Sequence, residues 1–166
     1  MSKADLFLAE YERELTTTRR FLERIPGDRL AWKPHEKSMS VGQLAHHIAE
    51  TPEMVLRTFV RDEVTPPDLS TSRLQPPTLS AVLQTLESGA VYVREALPKV
   101  NDHQMAALVG VVVAGRTLMS SPREVFIRSI MFNHWYHHRG QLGVYLRLLG
   151  VSVPVSYGPS GDESPF

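Results

Sequence analysis

Along this chain, apolar positions recur at intervals of three and four residues in separate stretches divided by clusters of proline, glycine, serine and threonine. The first stretch predicts an amphipathic helix over 3 to 25, with Leu6, Phe7, Ala9, Leu15, Phe21, Leu22 and Ile25 on its apolar positions, and Pro26-Gly27 stops it. A connector, "DRLAWKPHEKSMS", leads to Ser40 and Gln43, whose spacing reads as a capping box opening a second helix near Val41. Pro52 falls inside that helix and lacks the amide hydrogen an interior position needs, so the expectation is a kink or an interruption there. The segment 62 to 78, with two Pro-Pro pairs, reads as a long crossing loop. A third helix is predicted over about 79 to 100 from Leu79, Val82, Leu83, Leu86, Val93 and Leu97.

Residues 102 to 119 break the pattern. "LVGVVVAGRTLM" is rich in β-branched residues and interrupted by glycines, which reads as extended or irregular chain, with room for a short strand pair near 105–118. "SSPREVF" then offers an N-cap serine, a proline at the first helical position and an early glutamate, opening a fourth helix over about 122 to 149 that Gly150 and Pro154 end. The expectation is an all-α fold, a four-helix bundle with long crossover connections, forming one domain over 1–166.

Composition narrows the function classes. The chain has 166 residues, enough for a full core without staples, and its 18 basic and 18 acidic side chains are intermixed. A balanced surface gives no electrostatic footprint for nucleic acid or an anionic membrane. The longest apolar run, 105 to 115, is short of the roughly 20 residues a bilayer helix needs, and "MSKADLF" has no apolar signal core. The expectation is a soluble, cytoplasmic protein. The absence of cysteine removes disulfides, zinc-thiolate sites and a cysteine nucleophile together.

The candidate chemistry lies in the histidines. At about 100° per residue, the fourth helix has one face through Ile127, Ile130, Met131, His134, His138, Leu142, Tyr145 and Leu149. His134 and His138 share it, one turn apart, at a spacing that lets two imidazoles reach one ion, while His137 sits at its edge. In the second helix His47 falls beside the apolar face through Leu44, Ile48, Val55 and Phe59, and His46 points away. Buried imidazoles need partners at both nitrogens, which an ion, or water shared among the rings, would supply; helical geometry leaves both readings open. Three neutral imidazoles suit zinc, nickel, copper or iron and leave coordination positions for water or substrate. Gln141 and Glu50 are placed to orient the rings, or are ordinary polar helix residues. Trp32, Trp135 and Tyr136 read as packing or interface residues, Arg139 as a solvent-facing or tail-anchoring charge, and Tyr157 as a tail residue able to tuck against the helices. His35 and His103 receive no role, and there is no nucleophile elbow, phosphate-binding glycine loop or HExxH sequence.

Taken together, "WKP", "SVGQLAHHIAE", "FNHWYHHRGQLGVYLRLLG" and "VPVSYGPSGDE" resemble the DinB-like (DinB/YfiT-like) superfamily over nearly the whole chain, most specifically in Leu44 to His47 and in His134 to Gln141. The resemblance implies a bundle holding a divalent metal, commonly zinc or nickel, on His47, His134 and His138. It implies neither polymerase activity nor DNA binding. Relatives include transferases and isomerases that use bacillithiol, mycothiol or glutathione, so the expected activity is a metal-dependent S-transferase joining an external low-molecular-weight thiol to a small electrophile. A metal-assisted hydrolase is the alternative enzyme, with Glu50 the nearest acid. The non-enzymatic alternative is a stress-associated metal-binding homodimer, formed through Trp135, Tyr136 and the 105–115 segment.

Overall fold

The computed structural model describes residues 1–65 and 74–164. Helix α1 (Lys3–Glu23) opens on a capping box in which the Ser2 hydroxyl accepts from the Asp5 amide and the Asp5 carboxylate accepts from the Ser2 amide. Helix α2 (Val41–Phe59) opens the same way, with Ser40 Oγ 3.1 Å from the Gln43 amide and Gln43 Oε1 2.9 Å from the Ser40 amide. Each such cap is worth about 0.5–2 kcal/mol. Its first turn packs tightly on the connector: a Cβ at Gly42 would lie 2.9 Å from the Leu30 carbonyl, so only glycine fits.

The chain runs on through β1 (Glu63–Val64), α3 (Leu79–Ala96), the short α4 (Asp102–Ala106), β2 (Leu108–Val113) and β3 (Arg116–Pro122). A final helical run comprises α5 (Arg123–Phe126), a π-helical turn (Ile127–Asn133) and α6 (His134–Leu148). Helix α2 packs on α3 and α6, and α1 packs on the same two. Leu22, Leu44, Ile48, Leu86, Val93, Trp135, Leu142 and Leu146 are fully buried among them.

Some expectations change. The fold is mostly helical as expected, the strand pair allowed for near 105–118 forms within a three-stranded sheet, and the sheet and extra short helices take the described chain beyond a simple all-α four-helix bundle. Strand β2 pairs parallel with β1 and antiparallel with β3, and the β2–β3 turn puts Ala114 and Gly115 both at positive φ (50° and 74°). That is the backbone a two-residue hairpin demands, reached without the usual Asn-Gly signal. Strand β3 keeps pairing as far as Pro122, so Ser120 and Ser121 belong to the sheet and no serine caps the last helix. The expected crossing loop at 62–78 falls partly outside the described residues, and its described beginning forms β1. The third helix ends at Ala96 in a 3₁₀ turn instead of reaching 100.

Helix α2 passes through Pro52 uninterrupted. Proline cannot bond the Ile48 carbonyl one turn back, and the indole N–H of Trp135 donates to it instead, at 2.9 Å. Helix continuity therefore survives because a neighbouring helix fills the gap.

At the sheet end, Arg123 is a buried clamp. Its guanidinium donates to the carbonyls of Phe59 (2.6 Å), Arg61 (3.3 Å) and Gln104 and to Asp62 Oδ1 (2.8 Å), tying the end of α2, the start of β1 and α4 together.

Candidate metal centre

His47, on α2, and His134 and His138, one turn apart on α6, converge so that a ligand atom from each lies within 4.8 Å of the others. His134 Nε2 is 2.7 Å from His138 Nε2 and 3.4 Å from His47 Nε2. The two ligand-bearing turns are held side by side by the Trp135–Ile48 bond, whose partners directly follow His134 and His47 in sequence. The inward placement read from helical periodicity is therefore what the structure has, and His137, read at the edge of that face, is exposed.

The proton positions follow from the surroundings. The Tyr145 hydroxyl donates to the Met39 carbonyl (3.3 Å), the Gln141 amide nitrogen donates to Tyr145 (3.4 Å), and Gln141 Oε1 thus faces His138 Nδ1 at 2.9 Å as an acceptor. His138 must carry its hydrogen on Nδ1, which leaves Nε2 with a bare lone pair. His134 reaches the same state by another route. In the π-helical turn its backbone amide bonds the carbonyls of Ser129 and Met131, bypassing Ile130, and the Ile130 carbonyl acts on the His134 ring, raising its pKa and so favouring a ring hydrogen on that side. With Nε2 turned toward the other rings, that hydrogen sits on Nδ1.

Two Nε2 lone pairs 2.7 Å apart repel unless a cation sits among them. A proton is disfavoured. Burial, with the charges of His47 and His137 adding to it, holds the His134 pKa below the usual histidine value. Burial likewise pushes His138 down to about 4, against the opposing Gln141 bond. A divalent metal of the borderline class meets the same need with three neutral nitrogen ligands, so the donor set fits such an ion.

The third ring is less tightly oriented. Glu50 Oε1 lies 3.7 Å from His47 Nδ1, just beyond hydrogen-bond length, and both atoms are buried without a hydrogen-bond partner among the described residues. Glu50 also lies 3.5 Å from His46 Nδ1. The carboxylate thus stands behind His47, on the side away from the converging Nε2 atoms.

On the open side, His47 and His134 form part of the wall of a cavity of about 220 Å³. The remaining lining comes from α2, the sheet and the last helical run, including Met54, Val55, Phe59, Val111, Met119 and Phe126. The sequence reading missed this cavity. The signal on α2 was there, since Met54, Val55 and Thr58 continue the stripe beyond His47, but the other walls come from a sheet that periodicity did not resolve.

Other candidates resolve differently. Trp135 is fully buried and stacked on Tyr11 at 5.5 Å, so it packs the core and is not free for a dimer contact. In the apolar 105–115 run, Met105 and Val109 are buried while Leu108 and Val113 are exposed. Arg139 is 2% exposed and paired with Glu14 at 2.6 Å, which corrects the solvent-facing reading, and its bond to the Tyr157 hydroxyl at 2.6 Å is the tail anchor. No described helix is long and apolar enough to cross a membrane. His35 and His103 lie outside the histidine cluster.

No curated protein matches the chain. Among solved structures, the fold is similar to a DinB-like protein from Bacillus cereus ATCC 10987, with a TM-score of 0.72 and 22% identity over 91% of this chain and 95% of that one. It is also similar to a DinB-like protein from Bacillus subtilis, with a TM-score of 0.69 and 18% identity over 90% of this chain and 96% of the other. The model of the DinB family matches residues 1–164, nearly end to end, and the chain belongs to that family.

Proposed function

We propose that the chain is a divalent-metal-dependent enzyme that joins an external low-molecular-weight thiol to a small electrophile. The observation that carries this reading is the convergence of three imidazole nitrogens, two of whose rings, His47 and His134, line a substrate-sized apolar cavity. A structural site would be closed by a fourth ligand, whereas a three-histidine site beside open space is built for exchange.

His47, His134 and His138 would hold the ion, with zinc or nickel the metals best matched to the donor set. Bound there, the ion supplies Lewis acidity that lowers the pKa of an arriving thiol. The chain's own residues do the rest. Gln141, braced by Tyr145, keeps the His138 proton on Nδ1, and the Ile130 carbonyl does the same for His134, so both Nε2 atoms stay free to bind. The apolar wall excludes water from the nucleophile's approach, which favours attack by sulfur over hydrolysis. With no cysteine in the sequence, the thiol comes from outside.

Hydrolysis is the weaker reading because it asks for a general base on the open side. Among the described residues no carboxylate lines the cavity, and Glu50 stands behind His47. Elemental analysis of untagged protein, beside a His47→Ala, His134→Ala, His138→Ala variant, comes first: about one metal per chain is expected, absent from the variant. A thiol-consumption assay against small electrophiles follows. Chelator should abolish turnover and zinc or nickel restore it; equal turnover by the metal-stripped protein overturns the reading.

A further inference from the structure

We propose that the cavity beside His47 and His134 is a selective site for an uncharged apolar molecule about the size of one substituted aromatic ring. This deepens the reading above: it rests on it for the chemistry done to the molecule, but not for the molecule's binding.

Size sets the first limit. A cavity of ~150 Å³ lined by aliphatic side chains takes up benzene. At about 220 Å³ the present one has room for a ring bearing a short substituent, and not for a larger fused or peptide-like ligand. Shape is held by more than side chains. One wall is Val64 of β1, kept in place by the parallel pairing with Val111 and by the Arg123 clamp on Arg61 and Asp62.

Polarity sets the second. Among the described lining residues there is no lysine, arginine, aspartate or glutamate. The lone hydroxyl, on Thr58, already donates to the Met54 carbonyl at 2.7 Å and so is committed within its own helix. The imidazoles at the end of the wall are thus the chief polar groups a ligand would meet. In the metal-free protein, a carboxylate entering this space would lose its hydration with no lysine or arginine among the described lining residues to replace it. The ligand's reactive carbon would face the histidines, with its apolar body against Met54, Phe59 and Phe126. Met119, 53% exposed on β3, stands where the cavity meets solvent.

The methionines provide the test, because Met54 and Met119 line the cavity while Met39, Met105 and Met131 do not. Metal-free protein carrying ¹³C-methyl methionine, assigned through Met54→Leu and Met119→Leu, would be titrated with toluene and with benzoate, the same ring bearing a charge. Saturable shifts at Met54 and Met119 with toluene are expected, together with at least tenfold weaker response to benzoate. Val111→Phe on β2 or Ile130→Phe in the last helical run should remove the toluene response while the remaining methyl spectrum stays native. No toluene shift in the parent protein, an equal benzoate shift, or shifts confined to Met39, Met105 and Met131 would overturn the proposal. Toluene binding without any metal-dependent thiol consumption would sink the enzymatic reading alone; thiol consumption without toluene binding would sink this one alone.

Discussion

Gln141 decides which nitrogen of His138 carries the hydrogen, and it can do so because Tyr145 and Met39 fix the direction of its own amide. Replacing it by leucine keeps much of the volume and removes the acceptor. Gln141→Leu is expected to weaken metal binding about 10- to 100-fold, measured by competition with a chromophoric chelator, with helix content unchanged by circular dichroism. The same rings make the metal-free protein sensitive to acid. His138 in the folded state titrates near 4, below its usual 6.5, because burial favours the neutral ring. The unfolded chain therefore takes up that proton first as pH falls, and stability present above about 6.5 is lost progressively down to about 4. Chemical denaturation of metal-free protein across this range should show the decline, and His138→Gln should flatten it. Glu10 and Glu12, whose carboxyls Arg128 and Arg94 respectively hold below the usual range, add a loss of their own that sets in at the acid end of the window, as pH falls toward their ordinary value of 4.5, so the decline specific to His138 is read at its upper end.

The elements differ in how far their sequences announce them. Ser40 with Gln43 marked the start of α2 because a capping box is local chemistry, and His47, His134 and His138 faced inward because periodicity is local too. The hairpin was only half legible, since its turn uses Ala114 and Gly115 and its strands do not alternate cleanly between apolar and polar residues. For Arg139 the tail-anchoring reading holds but its burial was missed, because its partner, Glu14, is 125 residues away. The π-helical turn was invisible: no residue type specifies it, and only the backbone shows that Ile130 is bypassed. Such a turn behaves as one extra residue inserted in a helix. Deleting the exposed Ser129 should restore an ordinary α-helix and return the Ile130 carbonyl to the backbone ladder. The expected outcome is a folded protein whose metal affinity drops about tenfold or more, read by the same chelator competition. Unchanged affinity would mean that the His134 ring needs no such support.

At the scale of the molecule, a metal on these histidines would join α2 to α6, so binding and folding are coupled. With free zinc or nickel at about 100 times its dissociation constant, the folded state gains ~2.7 kcal/mol. For a chain of this size that corresponds to a rise in Tm of about 5–10 °C, which calorimetry should detect and the triple alanine variant should lack. The pairing of those helices is encoded before any ion arrives. A proline inside a helix ordinarily costs about 3 kcal/mol. Pro52 instead leaves one carbonyl, that of Ile48, available at one height along α2, and Trp135 is the donor that meets it. If α6 slid by one turn, about 5.4 Å, that carbonyl would be left bare in the core and His134 and His138 would be carried past His47. Pro52 and Trp135 thus act as a vernier, making the alignment that assembles the three histidines the one in which no buried backbone group at this crossing is stranded.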